Sequence, residues 1–260
     1  MGRKHSQDHN DNLVLFNNKK EQINGAAVQK RQKVGVDERI INPNSFLRVE
    51  PKTEKQQQMM SAYFENQHIV ACGSAGTGKS FIALYLALLD VVVNKKAKRI
   101  NIIRSPLSVN HQGFLPGTLE EKEAVYERPY VDIVNFLFDN DEAYYELKRV
   151  GMINFMTTSY IRGLTWNDTI VVADEVQNML WEEINTIATR CGPNTRLMFL
   201  GDVKQDDLTV SKRHQQSGIN TMIRVATSMQ SFDVVEFGPE DIVRDEFVKA
   251  WIIACELNHV

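Results

Sequence analysis

Apolar positions come in two rhythms along the chain. Short continuous runs end near a glycine, serine or acidic residue, and longer helical stretches separate them. HIVACG (68–73), RINIIRS (99–105), INFMTT (153–158), TIVVADE (169–175), RLMFLGD (196–202) and DVVEFG (233–238) predict strands. SFIALYLALLDVVV (80–93) predicts a helix, as do 118–149, a segment near 180–190 and a final one over 240–257. Runs that are apolar throughout, rather than alternating, belong to strands buried on both faces. Their alternation with helices implies an α/β fold, a mostly parallel sheet with helices on both faces and right-handed crossovers. Ahead of this pattern, 1–12 are polar and 13–48 mix short apolar groups with the basic pairs Lys19, Lys20 and Lys30, Arg31. The expected organisation is a polar, partly disordered N-terminal extension over 1–48 and one folded domain over 49–260. The extension reads as a solvated tail or as a nucleic-acid arm.

With 43% hydrophobic and 24% charged residues in 260, the composition is globular and excludes fibrous and wholly disordered chains. A net charge of −3 argues against binding nucleic acid with the whole surface, but leaves room for a local basic groove or a ring pore. Cys72, Cys191 and Cys255 are odd in number and form no CxxC, so neither a disulfide framework nor a zinc site is expected. The histidines form no HExxH, and no metal site built from protein ligands alone stands out. Apolar runs stop short of the ~18–20 residues that span a bilayer. The opening MGRKHSQDHNDN lacks a signal-peptide core, though Gly2 with Ser6 fits the loose MGxxx[ST] myristoylation pattern. The expectation is a cytoplasmic protein.

The candidate chemistry begins where the first strand meets the first long helix. Gly73-Ser74-Ala75-Gly76-Thr77-Gly78-Lys79-Ser80 matches GxxxxGK[ST]. Such a loop wraps phosphates with backbone N–H groups at a helix N-terminus, where the dipole favours anions. Lys79 would reach the β/γ-phosphates, and the Ser80 hydroxyl would bind Mg²⁺. About a hundred residues on, TIVVADE places Asp174 and Glu175 at a strand end. Carboxylates there need a partner, and Mg²⁺ supplies one to Asp174. Glu175 can polarise a water for in-line attack on a γ-phosphate. After the next strand, GDVKQ (201–205) puts Gln205 forward as a sensor or water-positioning residue, or else forms a plain turn.

These motifs, in this order, resemble the PhoH-like family of P-loop ATPases, related to the core of superfamily-one helicases. The resemblance covers about 50–257. It rests on TEKQ (53–56), the loop itself, Arg104-Ser105-Pro106, GFLPGTLEEK (113–122), YIRGLTWNDTIVVADEVQN (160–178), GDVKQDDL (201–208) and FGPEDIVRDEFV (237–248). Val176 stands where the family usually has Ala, Ile242 where it has Val, and Asp245 where it has His. The resemblance implies a RecA-like fold binding ATP with Mg²⁺, with Gln56 on adenine. It also implies contacts of Arg104, His111, Phe114 and Arg162 with RNA or single-stranded nucleic acid. No PIN nuclease module or basic RNA-binding extension is recognisable, so the chain looks like the single-domain versions carried by bacteriophages, which would work in the host cytoplasm.

Only 58 residues follow Asp202, too few for a second similar domain of on the order of 100 residues. The cleft is then expected to be completed by another subunit, in a head-to-tail ring that the resemblance makes hexameric. Arg244 would be the finger reaching a neighbour's γ-phosphate, or would pair with Glu240 or Asp241 on its own helix. Two functions remain open. One is an ATPase coupled to nucleic acid. The other is a nucleotide-dependent assembly protein that recruits a partner such as a nuclease. A small-molecule kinase ranks last, because Glu175 and the Gln205 element favour water as the nucleophile.

Overall fold

A computed structural model of the chain describes residues 41–105, 119–203 and 217–258. Its centre is a six-stranded sheet in the order β3-β2-β4-β5-β1-β6. The strands are β1 (His68–Gly73), β2 (Arg99–Arg104), β3 (Ile153–Thr157), β4 (Thr169–Ala173), β5 (Arg196–Gly201) and β6 (Phe232–Phe237). Every pairing is parallel. All of the strands predicted from apolar runs are present, each within two residues of its expected ends.

Period-two alternation divides each strand between two cores. Ile69, Ala71, Ile170, Val172, Met198 and Leu200 face one side of the sheet. Val70, Val171, Ala173, Leu197 and Phe199 face the other. The first face is covered by α1 (Glu54–Phe64), α2 (Lys79–Leu88), α3 (Leu119–Phe138) and α4 (Ala143–Arg149). Apolar residues of α5 (Trp181–Thr189) and α6 (Ile219–Thr227) cover the second. Burial on both faces is why these strands read as unbroken apolar runs.

The helices differ from expectation in four places. The stretch 118–149 divides because Asp139 turns left-handed (φ 49°) and Asn140 accepts the Glu142 N–H at 3.0 Å, opening a new turn. The final helix, α7 (Glu246–Asn258), starts later than expected. Pro239 opens a short 3₁₀ turn, Ile242 is extended, and Asp245 accepts the Phe247 N–H at 3.0 Å, which caps the true start. Helices α1 and α6 were not anticipated. α1 is capped by Thr53, which accepts the Gln56 N–H at 3.3 Å, and buries Met59, Met60, Ala62 and Tyr63. α6 is short and buries only Ile219, Met222 and Ala226.

The strand order brings distant segments together. β5 lies between β1, which leads into the glycine-rich loop, and β4, which ends at Asp174. Three strand ends, Gly73, Asp174 and Gly201-Asp202, therefore open on one edge of the sheet. Ligands of open α/β sheets bind outside such carboxyl ends.

Candidate active site

The loop begins where β1 meets β6. Gly73 has φ +124°, and a Cβ there would lie 1.9 Å from the Phe237 carbonyl oxygen, so only glycine permits the approach. The Ser74 N–H donates to that oxygen at 3.1 Å. The Thr77 hydroxyl donates to the Ser74 carbonyl at 3.0 Å and stiffens the loop from within. α2 then starts at Lys79, leaving first-turn N–H groups without helical partners, ready for an anion. The Lys79 ammonium donates to the carbonyls of Gly73 at 2.7 Å and Ser74 at 2.8 Å. Burial pulls its pKa down, opposed by the charges of Asp202, Asp174 and Glu175. The ammonium thus lies where phosphate oxygens would meet it.

Gln56 reaches the loop from α1. Its Nε2 donates to the Thr77 carbonyl at 2.9 Å, and its Oε1 accepts the Lys52 N–H at 2.8 Å. The side chain is buried, and it ties the entry of α1 to the phosphate loop.

Asp174 is buried at the end of β4. Its carboxylate accepts from the Ser80 hydroxyl at 3.0 Å, from the Tyr130 hydroxyl at 2.8 Å and from the Glu175 N–H at 3.0 Å. Ser80 and Asp174, expected to share a metal, are thus in direct contact. Their hard oxygens fit Mg²⁺, which keeps waters and substrate phosphates in its shell and needs few protein ligands. Among the described residues, no cluster of three or more His, Cys, Asp or Glu side chains forms a dedicated metal cage.

Glu175 adopts the left-handed conformation (φ 56°, ψ 43°), rare for a non-glycine residue and typical of functional strain. Glu175, like Asp174, lines the cleft. Gln177 Nε2 donates to Glu175 Oε2 at 2.6 Å, while Gln177 Oε1 accepts the Asp202 N–H at 3.0 Å. A single buried amide therefore spans from the acidic strand end to β5. Burial, then the charge of Asp174, raises the pKa of Glu175; Arg104 opposes this. Val176 is fully buried, and its Cγ2 fills the space in front of Gly201, where a Cβ would come within 2.7 Å.

Gly76, Lys79, Ser80, Asp174, Glu175 and Asp202 line one cleft of about 570 Å³. Arg244, expected either to reach a neighbouring subunit or to pair within its own chain, lines it too. The Val243 N–H donates to the Gly76 carbonyl at 3.1 Å, which draws the strand-like segment before α7 over the loop. As a result a Cβ on Gly76 would meet Arg244 Cγ at 2.9 Å, which places Arg244 against the loop of its own chain. Asp241, its alternative partner, instead accepts the Gly238 N–H at 3.0 Å.

Of the expected nucleic-acid contacts, Arg104 and Arg162 lie among the described residues. The Arg104 side chain is only 15% exposed and faces Glu175, with Nη2 at 3.8 Å from Oε1 and the guanidinium over the Tyr126 ring at 5.7 Å. Its Nε is buried without a hydrogen-bond partner. Arg162 is exposed, in the segment after β3. His111, Phe114 and Gln205 lie outside the described residues. Tyr130 and Gln177 were not anticipated as site residues. Tyr130 gives no signal in the sequence beyond a polar aromatic on an apolar helix face, and Gln177 only its place two residues after Glu175.

The PhoH-like protein family matches residues 48–256. A PhoH-like protein of Mycobacterium leprae is 33% identical over 77% of this chain and 56% of its own length. Protein PhoH of Escherichia coli K12 is 31% identical over 74% of this chain and 54% of its own. Among solved structures, the large terminase of a thermophilic bacteriophage in complex with ADP aligns over 76% of this chain and 48% of its own at 13% identity, with a TM-score of 0.42. The Pif1 helicase of Candida albicans aligns over 71% and 40% at 13% identity, with a TM-score of 0.35. The chain spans a little over half the length of those two PhoH relatives. No helix among the described residues is long and apolar enough to cross a membrane. A phosphate loop, an Asp-Glu strand end and an interposed third strand on a parallel sheet, together with a family match over most of the sequence, make this chain a member of the PhoH-like family, with a P-loop nucleotide site.

Proposed function

We propose that residues 49–260 form a Mg²⁺-dependent ATPase that acts on RNA or single-stranded nucleic acid as a homo-oligomeric ring, six-membered by family resemblance, in the cytoplasm. The observation that carries the hydrolytic part is the convergence of Lys79, the Ser80–Asp174 pair and Glu175 on one cleft. The loop binds the phosphates. Lys79 exchanges the Gly73 and Ser74 carbonyls for β- and γ-phosphate oxygens. Glu175 takes a proton from water as the water oxygen bonds to the γ-phosphorus. The bond from that phosphorus to the β–γ bridging oxygen breaks, and ADP leaves with the charge. Mg²⁺, held by Ser80 and Asp174, would neutralise charge on the phosphate oxygens. Arg244, over its own loop, supplies positive charge from within the chain, and Gln205 orients the water. Arg104, His111, Phe114 and Arg162 are the proposed nucleic-acid contacts.

Steady-state ATP hydrolysis with Mg²⁺, with and without single-stranded RNA, tests this reading, with Glu175→Gln as control. Turnover that rises with RNA and vanishes in the variant supports the coupled ATPase. Turnover that needs Glu175 but ignores RNA removes the nucleic-acid part. A second reading, a nucleotide-dependent assembly protein that recruits a partner, draws support from α7. That helix has none of its residues buried and exposes Phe247, Trp251 and Leu257 by 63–75%. It predicts slow turnover without strand separation.

A further inference from the structure

β2 and β4 end side by side. Ile103 pairs with Ala173, and the Asp174 N–H donates to the Ile103 carbonyl at 2.9 Å. This brings Arg104, the last residue of β2, against Glu175. The contact is loose. Nη2 stands 3.8 Å from Glu175 Oε1, beyond hydrogen-bond length and short of the bidentate fork that arginine makes with a well-fitted anion. Nε is buried without a hydrogen-bond partner. The Tyr126 ring of α3 supports the guanidinium at 5.7 Å. With its side chain 15% exposed, Arg104 has lost most of its water for one distant charge. A desolvated cation held this way stabilises a fold poorly, and its donors remain available to a better acceptor.

Glu175 is held from two sides. Gln177 Nε2 donates to Oε2 at 2.6 Å, and Arg104 faces Oε1. A carboxylate restrained at both oxygens has less freedom to turn to a water at the γ-phosphate. We propose that Arg104 is a positioning residue that restrains Glu175, and that a nucleic-acid phosphate bound at the carboxyl end of β2 draws the guanidinium away and frees the base. This rests on the coupled-ATPase reading above and deepens it by naming the link between strand and hydrolysis. A phosphate accepts two parallel N–H bonds from the arginine fork at about 2.7–2.9 Å, closer than the present contact with Glu175. That difference between the two states of Arg104 is what lets one ligand shift it. An arginine that served only to balance the charges of Asp174 and Glu175 would behave otherwise, and its loss would lower turnover with or without RNA.

The test is steady-state ATP hydrolysis by the full chain, on the alkaline plateau of its rate profile, titrated with a single-stranded oligouridylate. RNA should raise the wild-type kcat at nearly constant KM for ATP. Arg104→Gln should start from a basal kcat about tenfold above wild type, keep its KM within about twofold, and respond to RNA by less than about twofold. Arg104→Lys keeps the charge but not the fork. Its basal kcat should stay below that of Arg104→Gln, and half-maximal stimulation should need about tenfold more RNA than wild type. A basal kcat at or below wild type in Arg104→Gln would overturn the proposal, as would an undiminished response to RNA. If thermal denaturation showed Arg104→Gln to be unfolded, a wild-type RNA requirement in Arg104→Lys would overturn it instead. Stimulation that survives in both variants would leave the coupled ATPase standing and reject the link. Wild-type turnover that ignores RNA would reject the coupled reading itself, and the link with it.

Discussion

The phosphate loop and the acidic end of β4 line the same cleft but are held in different ways. The loop is continuous in sequence, and its shape comes from backbone. Gly73 presses against the Phe237 carbonyl, Thr77 bonds back to Ser74, and Lys79 reaches two carbonyls within the motif. Asp174 and Glu175 are held by side chains from elsewhere: Ser80 on α2, Tyr130 on α3, Arg104 on β2 and Gln177 on the following turn. A local device fails as a unit when one residue is wrong. An assembled one loses function by degrees, because each partner carries part of the load.

The largest effect should separate chemistry from binding at the acidic end. Glu175→Gln is expected to lower turnover by about 10²- to 10⁴-fold while nucleotide binding stays within a few-fold, checked by hydrolysis and by titration with a fluorescent nucleotide. Gly73→Ala attacks the loop. Its Cβ has no space and its φ is unfavourable, so stability should fall by about 3 kcal/mol in chemical denaturation. A smaller loss would mean that β1 and β6 part more easily than their contact suggests. Gln177→Leu leaves the Asp202 N–H buried without its acceptor and frees Glu175, which should cost about 2 kcal/mol and lower kcat more than it raises KM. Tyr130→Phe removes one of several donors to Asp174, for about 1.5 kcal/mol and a turnover loss under tenfold. If Tyr130→Phe proved as damaging as Glu175→Gln, the graded picture of the acidic end would be wrong.

The smallest expected effect is in pH. Glu175 has its pKa raised by burial first and by Asp174 second. As the proposed base it must be ionised, so the acid limb of the rate profile should lie above the ordinary carboxylate range. Arg104→Gln should move that limb higher still. The same shift has a stability sign. A carboxylate with a raised folded pKa carries no penalty below its unfolded pKa and destabilises the fold as pH rises through the folded value. Glu175→Gln should therefore raise Tm at neutral pH, with the gain fading in acid. A Tm difference independent of pH would remove the charge argument.

The contrast between loop and acidic end also explains what could be read in the sequence. Strands buried on both faces leave continuous apolar runs, so the sheet was legible, and the loop was legible because its chemistry is contiguous. α1 was missed because its apolar residues, Met59, Met60, Ala62 and Tyr63, follow a polar QQQ run. α6 is too short to establish a period. Tyr130, forty-four residues from Asp174, has no local mark of its role. Gln56 was legible as a site residue, yet its hydrogen bonds point to the loop, a fact that depends on how α1 enters. Arg104 and Arg244 were both legible as candidate site residues. The directions of their side chains follow from strand β2 beside β4 and from the Val243–Gly76 bond, which only the fold supplies.

The interposed β5 has a mechanical consequence. The loop strand and the acidic strand share no backbone hydrogen bonds, so each is joined to the other only through β5. A nucleotide held, as proposed, by Lys79 and by the Ser80–Asp174 pair would bridge those strand ends across the top of β5, over two strand spacings of ~4.8 Å. It would act as a clasp over a strand whose end, Gly201 and Asp202, lines the same cleft. Amide hydrogens of Leu197 to Leu200 should then exchange more slowly when nucleotide is bound, and the release of phosphate would loosen the centre of the sheet rather than its rim.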